Sequence, residues 1–360
     1  MGTRLSQLRM WMASDDLEAA YLTSPVSIAY LTGFRADPHE RLMALAVRPD
    51  VATLIVPALE HQNAEKAAPE SAVVSWRDGE DPYALVSAAL QKCPRLGVEK
   101  EHLTVQAAEA LRARAATKEL VDVAAEVRRL RRTKSRSELA RLERAATITD
   151  AVTEEVMSQL QAGQSELEVA TRLGGAIAAA GGDVAFPSLV QSGPNSALPH
   201  ARPSSRRLAT GDLVLLDFGA ACEGYPADTT RMAVVGEPNE RQLEIHGLVL
   251  AAHDAAIAAV RPGTTTGAVD AAARNVIAAA GLADRFFHRI GHGLGLETHE
   301  DPSLDPGSQT GLEAGMVFTI EPGVYIPDWG GVRIEDDLVV EAGGCRVLTH
   351  ADRALRAVLA

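Results

Sequence analysis

The sequence has few cysteines and no long apolar run, and both shortages exclude classes of protein. Its three cysteines, Cys93, Cys222 and Cys345, lie far apart and form no Cys-x-x-Cys pair, which argues against a disulfide framework and favours a reducing compartment. The N-terminus lacks the apolar stretch of a signal peptide. The alanine-rich runs 251–260 and 271–280 carry charges or break too early to cross a bilayer. We therefore expect a soluble cytoplasmic protein.

Positive charge is also scarce. Lysine and arginine number 35 against 48 acidic residues, and the resulting net charge of −13 disfavours nucleic acid or an anionic membrane as the main partner. A dense basic stretch lies within residues 121–146, but no aromatic residues interleave the basic ones. We interpret this segment as a linker running into a helix rather than as a nucleic-acid-binding helix.

The remaining composition is that of an ordinary globular protein, with 46% hydrophobic and 23% charged residues. A chain of 360 residues predicts two domains, or one large domain with an appendage. We place the boundary in the charged segment, which predicts an N-terminal domain of residues 1–125 and a second domain of residues 126–360.

The N-terminal domain alternates strand-like and helical patterns, which is typical of an α/β fold. We predict helices at 4–20, 58–67, 82–91 and 105–114, and strands at 19–22, 44–47, 53–56, 73–74 and 95–98. A polar cluster within residues 35–40 is interpreted as a solvated loop. No catalytic constellation is predicted in this domain.

The second domain contains the same arrangement of predicted elements twice. Each time, two predicted helices (137–160 and 165–180, then 239–260 and 266–280) precede two β-rich runs around a turn. The runs of the first hairpin carry Asp217 and Asp228, and those of the second carry Glu321 and Glu335, each about equally far from its turn. If the first turn is centred within 223–226, Asp217 and Asp228 face each other with side chains ~5 Å apart. The repetition predicts an internal pseudo-repeat that encloses one central site.

Between the hairpins, the stretch 288–300 contains His288, His292 and His299, interspersed with glycines. Glycine allows a positive φ and a close approach of the backbone to whatever an imidazole binds. Histidine is the commonest metal ligand and the commonest general acid/base. By itself, however, a histidine-rich glycine loop is ambiguous between a site and a structural turn.

The acids decide between these interpretations. Asp217, Asp228, Glu321, Glu335 and His292 all come from strands or a glycine loop that can converge. Four gathered carboxylates would repel one another or stay protonated. Two divalent cations remove this conflict, since four negative charges then meet four positive ones. Such cations can hold a bridging water, lower its pKa and clamp a tetrahedral intermediate, so the sequence predicts a two-metal site.

These motifs resemble those of the metallopeptidases of pita-bread fold, and most closely the branch of Xaa-Pro aminopeptidase (aminopeptidase P) and Xaa-Pro dipeptidase (prolidase). The resemblance covers nearly the whole chain, and its motifs are 217–220, 228–231, 291–300, 321–325 and 333–337. It implies an α/β N-terminal (creatinase-like) domain followed by an α+β pita-bread (creatinase/aminopeptidase-like) catalytic domain with an internal pseudo-two-fold repeat.

The resemblance also implies a site with two divalent metal ions per chain. Its metal ligands are Asp217, Asp228, His292, Glu321 and Glu335, and its catalytic residues are His200, His288, His299, Glu321, Tyr325 and Arg333. Manganese(II) is favoured because four carboxylates and one imidazole suit it, with cobalt(II) and zinc(II) as alternatives.

Each of these residues has an expected role. Glu321 receives the proton of the attacking water, since an acid touching the metal shell lies within its reach. His288 and His299 polarise the scissile carbonyl or stabilise the oxyanion, and His200 positions the residue after the cut. Arg333 is the candidate for binding the carboxylate of a dipeptide, although it belongs to the motif of both branches.

The expected activity is hydrolysis of the Xaa-Pro bond at the N-terminus of peptides, by a metal-bridged hydroxide that attacks the scissile carbonyl. An Xaa-Pro aminopeptidase is favoured over a dipeptide-specific prolidase, because no extra segment follows Glu335 to close the site. Methionine aminopeptidase, a metal-free creatinase-like hydrolase and a non-catalytic pita-bread binding protein are the alternatives. The expected partners are peptides with proline in the second position and a second copy of the chain in a homodimer.

Overall fold

The computed structural model describes residues 3–360, which divide into two compact units between Arg131 and Arg132. Whether residues 1–125 and 126–360 fold as independent domains stays a prediction. Within residues 3–360, no helix combines the length and the apolar character that crossing a membrane requires.

The first unit is organised around a six-stranded sheet. Its strands are β1 (Ala19–Leu22), β2 (Ala44–Val47), β3 (Ala52–Pro57), β4 (Ala72–Trp76), β5 (Arg95–Val98) and β6 (Glu119–Asp122). They lie in the order β4-β3-β2-β1-β5-β6, with β1 antiparallel to β2 and parallel to β5. The helices are α1 (Arg4–Ser14), α2 (Pro25–Thr32), α3 (His61–Ala67), α4 (Pro82–Leu90), α5 (Val105–Arg114) and α6 (Ala124–Arg132). Every residue of β1 and β2 is buried, as expected for strands covered on both faces.

Two local predictions for the first unit are wrong. The helix predicted for 4–20 ends at Ser14, because Asp16 adopts a left-handed backbone (φ 53) and the chain turns into β1. The segment interpreted as a linker contains α6, whose Val127 and Leu130 are buried. The basic residues of α6 dominate its composition and conceal the narrow apolar stripe that makes it a helix.

The second unit contains long helices close to their predicted spans: α7 (Arg136–Ser158), α8 (Glu166–Ala179), α9 (Glu240–Ala259) and α10 (Thr266–Ala279). Each begins after a capping side chain, at Ser135, Ser165, Asn239 and Thr265 respectively. Its strands are β7 (Asp183–Val184), β8 (Leu189–Ser192), β9 (Leu213–Phe218), β10 (Ala220–Cys222), β11 (Tyr225–Pro226), β12 (Thr229–Val235), β13 (His292–Gly293), β14 (Glu300–Ser303), β15 (Val317–Ile320), β16 (Gly323–Ile326), β17 (Gly330–Arg333), β18 (Asp336–Glu341), β19 (Gly344–Val347) and β20 (Arg356–Val358).

The core of this unit lies on both faces of β9 and β12. Val214 and Leu216 belong to the apolar cluster that includes α7 and α8, whereas Leu213 and Leu215 belong to the cluster that includes α9 and α10. Successive residues of a strand point to opposite faces, so both helix pairs are packed against the same hairpin. This packing holds β9 and β12, and the acids they carry, between two layers of helices.

The register of the first hairpin places its acids differently from the prediction. Asp217 lies opposite Thr230, and Asp228 lies two residues closer to the turn, which is centred between Glu223 and Gly224. A direct pair of Asp217 and Asp228 would need a turn centred one residue earlier. The two acids are therefore diagonal rather than direct neighbours, and the predicted facing pair is wrong.

The second hairpin keeps one register through an interruption. β15 pairs with β18, with Ile320 opposite Asp336, and β16 pairs with β17, with Gly323 opposite Arg333. Glu321 and the residue at matching height on the other strand, Glu335, lie in the gap between these two ladders.

The two acid-bearing hairpins meet at Thr230, which forms an antiparallel bridge with Glu335 and also pairs with Asp217. Beside it, Arg231 is 1% exposed and donates to Asp336 Oδ1 at 2.6 Å and to the carbonyl oxygen of Glu335 at 2.6 Å. Each half contributes two helices and one acid-bearing hairpin, which is the pseudo-repeat expected from the sequence.

Replacing Arg231 with leucine is expected to destabilise the protein strongly, because fully buried Asp336 would lose a buried guanidinium partner. Breaking a buried ion pair costs about 3–5 kcal/mol. The matched control is Arg356→Leu, which breaks the partly exposed pair of Arg356 with Glu154 and should cost less than about 1 kcal/mol. Urea unfolding followed by circular dichroism measures both losses, and equal losses would contradict this account.

Candidate active site

A cavity of ≈ 790 Å³ lies in the second unit. Every site residue predicted from the sequence lines it: His200, Asp217, Asp228, His288, His292, His299, Glu321, Tyr325, Arg333 and Glu335. The lining also includes residues that the sequence did not single out, namely Phe186, Pro187, Leu189, Leu198, Pro199, Ala201, Phe287, Arg289 and Thr298. Most of these are apolar side chains without a periodic pattern by which they could have been found. The predicted residues are thus brought together, while their chemical roles stay predictions.

Ends and interruptions of strands place the acids in the cavity. Asp217 is the penultimate residue of β9, and Asp228 immediately precedes β12. Glu321 follows β15, and Glu335 lies between β17 and β18. Side chains inside a regular strand must alternate between its faces. At an interruption this constraint is relaxed, and all four carboxylates line one cavity.

The acids are crowded as well as buried, and their pKa values reflect both conditions. Burial, reinforced by neighbouring carboxylates, raises the pKa of Asp228 and that of Glu335 well above their ordinary values. Burial raises the pKa of Glu321 to about 7. The pKa of Asp217 is also raised by burial, against the opposing effect of the Arg333 guanidinium. Such a cluster needs protons or cations to be stable.

His292 presents a nitrogen lone pair to these acids. Its Nδ1 lies 3.2 Å from the carbonyl oxygen of Gly293, so Nδ1 carries the proton and Nε2 is free to bind a metal. Nε2 lies 3.7 Å from Asp228 Oδ2 and 3.6 Å from Glu321 Oε1. Burial, with a contribution from nearby His299, lowers the pKa of His292 to about 3, so the ring is neutral at neutral pH.

This donor set fits a divalent cation. Asp228, His292 and Glu335 each offer one ligand atom, and these atoms lie within 4.8 Å of one another. Among residues 3–360, no hydrogen-bond partner reaches the buried Oδ1 of Asp228. A buried carboxylate oxygen without a partner is unfavourable, and coordination to a hard cation would satisfy it.

The glycines beside His292 are required by close packing rather than by an unusual backbone. Gly291 and Gly293 do not have the predicted positive φ. A Cβ atom on Gly291 would lie 1.9 Å from the carbonyl oxygen of Thr319, and one on Gly293 would lie 2.3 Å from that of Asp301. The predicted close approach is present, but it is made to neighbouring backbone.

Arg333 is bound into the wall of the cavity. It is 3% exposed, and each of its nitrogens donates to a different residue. Nε donates to Thr230 Oγ1 at 3.0 Å, Nη1 donates to the hydroxyl of Tyr325 at 2.9 Å, and Nη2 donates to Asp217 Oδ2. Arg333 therefore orients an acid, a tyrosine and the threonine that joins the two hairpins.

Tyr325 connects Arg333 to His288. The Tyr325 hydroxyl lies 3.0 Å from His288 Nε2, and His288 Nδ1 lies 2.7 Å from the carbonyl oxygen of Arg289. Since a carbonyl can only accept, Nδ1 carries the proton and Nε2 accepts from Tyr325. Burial, followed by the charge of Arg333, lowers the pKa of His288 to about 4, so this imidazole is neutral at neutral pH.

His299 and His200 lie at the exposed side of the cavity. The ring of His299 stands nearly perpendicular to that of His292, with centroids 4.1 Å apart. Burial and the Arg289 charge lower the pKa of His299. His200 is fixed through its backbone, because buried Gln191 donates its amide to the carbonyl oxygens of Pro199 and Ala201. Gln191 was not predicted, because a glutamine in a strand carries no sequence signal for this role.

Comparisons with known protein families agree with this arrangement. Residues 140–342 match the model of metallopeptidase family M24, and residues 4–133 match the creatinase/prolidase N-terminal domain. The chain belongs to metallopeptidase family M24. It is therefore a hydrolase of the metallopeptidase type, and the predicted fold class, an α/β domain followed by a pita-bread catalytic domain, is confirmed.

Individual relatives extend over nearly the whole chain. An uncharacterised peptidase from Staphylococcus aureus (strain bovine RF122 / ET3-1) is 37% identical over 98% of this chain and 100% of its own. The prolidase from Pyrococcus horikoshii OT3 is 35% identical, with a TM-score of 0.92 over 98% of this chain and 99% of that one. The X-Pro aminopeptidase from Thermotoga maritima MSB8 is 29% identical, with a TM-score of 0.90 over 99% of this chain and 100% of that one.

The raised pKa values predict a pH dependence for the metal-free protein. Glu321 has a pKa of about 7 in the folded chain against 4.5 as its ordinary value. The folded state therefore gains stability from the protonated carboxyl. This gain is fully present below the ordinary pKa and is lost as the pH rises through the folded-state pKa. The raised pKa values of Asp228 and Glu335 also make the folded state less stable as the pH rises. With chelator present, the free energy of unfolding should fall between about pH 5 and pH 7, by up to about 1.4 kcal/mol per pH unit for each proton.

Urea unfolding at several pH values, with EDTA or with saturating Mn²⁺, measures this dependence. Manganese should flatten the decline, because a cation replaces the protons that neutralise the carboxylates. A decline that is equally steep with and without the cation would contradict the interpretation.

Proposed function

We propose that the chain hydrolyses Xaa-Pro bonds with two divalent cations held by Asp217, Asp228, His292, Glu321 and Glu335. The observation that carries the proposal is the convergence of three buried carboxylates, a fourth that is partly exposed and a neutral imidazole in one cavity. When bound, the cations would lower the pKa of a water molecule and stabilise negative charge on the scissile carbonyl oxygen. Manganese(II) suits the oxygen-rich ligand set best, and cobalt(II) and zinc(II) are the alternatives.

Glu321 is proposed as the residue that accepts the proton of the attacking water. Its carboxylate lies 3.6 Å from His292 Nε2 and is more exposed than the carboxylate of Asp228, with a side-chain exposure of 16% against 6%. A pKa of about 7 in the absence of metal describes a group that can take up and release a proton near neutral pH.

His288 and His299 are proposed to bind the scissile carbonyl oxygen or the oxyanion that forms from it. Both have lowered pKa values, so each is neutral near neutral pH and can donate one N–H. His299 is the better placed of the two, because the Nδ1 proton of His288 is already bonded to the carbonyl oxygen of Arg289. His288 therefore has the additional role of holding the hydroxyl of Tyr325.

Specificity for proline is proposed to come from the apolar side of the cavity. Leu198 and Phe287 line it although they are 58% and 63% exposed, and the Phe287 ring lies 5.4 Å from that of Tyr325. An exposed apolar pair beside an active site favours an apolar substrate group. An Xaa-Pro bond has no N–H and a φ restricted by the ring, so a flat apolar slot next to His200 suits its pyrrolidine.

Two possibilities remain for the length of the substrate: an aminopeptidase that accepts longer peptides, and a dipeptidase. The sequence favoured an aminopeptidase, and the likeness to the Thermotoga X-Pro aminopeptidase supports that choice. The higher identity to the Pyrococcus prolidase, 35% against 29%, supports a dipeptidase at least as strongly. A homodimer and a cytoplasmic location stay predictions.

Replacing Asp228 with asparagine is expected to remove at least one cation, because the change removes a charge and an oxygen that a hard cation requires. Elemental analysis after gel filtration measures the metal content per chain. Asp305→Asn is the matched control, since Asp305 is exposed and lies outside the cavity. If D228N and D305N retained the same metal content, the proposed ligand set would be wrong.

The substrate proposal is tested with four peptides at equal concentration: Ala-Pro, Ala-Ala, Ala-Pro-Ala-Ala and Ala-Ala-Ala-Ala. With Mn²⁺ present, we expect release of alanine from the proline peptides and little from the others, and EDTA should abolish it. Hydrolysis of Ala-Pro alone identifies a dipeptidase, and hydrolysis of both proline peptides identifies an aminopeptidase. Mass spectrometry of the products distinguishes these results, and no hydrolysis of either proline peptide would refute Xaa-Pro specificity.

A further inference from the structure

The segment of residues 192–204, which we call the His200 segment, carries His200 to the cavity between β8 and β9. After a short 3₁₀ helix at Gly193–Ala197, its backbone is irregular, and residues 198–201 line the cavity. A side chain on irregular backbone is held only as precisely as the contacts of that backbone allow. The contacts at the two ends of the segment therefore bear on the position of His200.

Glu166, the first residue of α8, lies between these two ends. Its side chain is fully buried, and its carboxylate accepts hydrogen bonds from both of them. At the entry, Oε1 accepts from the backbone nitrogen and the hydroxyl of Ser192, each at 2.8 Å, and Asn195 Nδ2 lies 3.0 Å from Oε1 and 3.2 Å from Oε2. At the exit, Oε2 accepts from the backbone nitrogen of Ser204 at 3.0 Å and from its hydroxyl at 2.6 Å. One side chain thus joins the base of the segment.

The backbone at the start of α8 holds the exit in place. The backbone nitrogens of Glu166 and Leu167 donate to the carbonyl oxygens of Arg206 and Ser204, at 3.0 and 3.1 Å. The first N–H groups of a helix have no partner within the helix, and these carbonyls satisfy two of them. Arg206 Nη1 also donates to the hydroxyl of Ser192 at 2.6 Å, so the entry is connected to the exit through Ser192 as well.

The burial of Glu166 makes this junction selective for one position of the segment. The donors to its carboxylate are neutral N–H and O–H groups, supplied by Ser192, Asn195 and Ser204. A buried carboxylate that loses such donors is strongly unfavourable. Displacement of either end would leave the charge without these hydrogen bonds, so the folded state favours the position in which both ends are bound.

We infer that Glu166 is a positioning residue that fixes His200, and with it the proline slot beside His200, by joining the two ends of the His200 segment. The inference rests on the proposed Xaa-Pro hydrolysis. Glu166 is not among the residues that line the cavity, so its effect on a substrate is transmitted through the segment. Gln191 complements it at the tip, where its amide donates to the carbonyl oxygens on either side of His200.

Glutamine at position 166 removes this junction while keeping the size of the side chain. Each carboxylate oxygen accepts a backbone N–H, Oε1 from Ser192 and Oε2 from Ser204. A hydroxyl can rotate to become an acceptor, but a backbone N–H can only donate. In either orientation, the amide nitrogen would face one of these N–H groups. Glu166→Gln should therefore release one end of the His200 segment.

The test measures kcat/KM on the full-length, Mn²⁺-loaded enzyme, with whichever of Ala-Pro and Ala-Pro-Ala-Ala the wild type hydrolyses. E166Q should lower kcat/KM by roughly 10- to 100-fold, mainly through KM, because a misplaced group at the substrate costs this much. His200→Ala should cause a comparable loss. The double variant H200A/E166Q should lose at most about 3-fold more than H200A, since Glu166 acts through His200.

Glu168→Gln is the matched control, because Glu168 lies in the same turn of α8 but its side chain is 55% exposed. It accepts from the backbone nitrogen of Ser165 at 2.7 Å, which a glutamine can also do, and kcat/KM should not change. Metal content and circular dichroism of E166Q should match the wild type. If E166Q does not fold, Asn195→Ala takes its place, with an expected loss of roughly 3- to 10-fold that is likewise absent from the H200A background.

The outcomes separate the inference from the proposed function. If the wild-type enzyme hydrolyses neither peptide, the proposed function fails and the inference fails with it. If it hydrolyses one of them and E166Q does so equally well, or if the losses of E166Q and H200A multiply in the double variant, Xaa-Pro hydrolysis stands and the positioning role is refuted. Loss of metal in E166Q, or an unfolded E166Q together with a fully active N195A, would also refute it. A rise in KM that disappears in the H200A background supports the inference.

Discussion

Mutual repulsion among buried carboxylates is the constraint around which the catalytic unit is built. Asp217, Asp228, Glu321 and Glu335 line one cavity, and all except Glu321 are buried. Arg333 also lines this cavity, and its guanidinium donates a hydrogen bond to Asp217. Their raised pKa values express the cost of this arrangement. Such a cluster is stable only where protons or cations offset the charge, which is why the acids are a stronger sign of metallopeptidase chemistry than the histidines are.

The backbone around the acids resists relaxation of this cluster. Thr230 stands between Asp217 and Glu335, and neighbouring Arg231 ties β12 to Asp336 at the start of β18. The glycines beside His292 allow neighbouring backbone to approach more closely than any Cβ would permit. Because these contacts join both halves of the pseudo-repeat, the acids cannot move apart without disrupting the core, and the site is pre-organised for a ligand.

The cavity has a buried, hydrogen-bonded interior and an exposed rim. The interior contains the acids, Arg333 and Tyr325, and Arg333 donates hydrogen bonds to Tyr325 and to Asp217. The rim contains Phe287, which is exposed, and Arg289, which has few partners within the chain. Groups that are unsatisfied in the protein alone are those that a substrate can satisfy, so the proposed proline preference is assigned to the rim.

What the sequence by itself determined is the chemical type of the site and the class of the fold. Helical and alternating patterns, capping residues and the acids near two turns are local features, and they identified α7 to α10, the two hairpins and the ten charged, histidine and tyrosine residues predicted for the site, but not most of the apolar lining of the cavity. Only the tertiary structure decided which of those residues touch. It placed Asp217 opposite Thr230 instead of Asp228, bound Arg333 to three neighbours, and gave Arg289 a hydrogen bond to Ser303. The physical reason is that cross-strand partners depend on the position of the turn, where a shift of one residue moves every partner by two. The number of hydrogen bonds that an arginine side chain makes likewise depends on residues distant in the chain, so it cannot be predicted from a local sequence pattern.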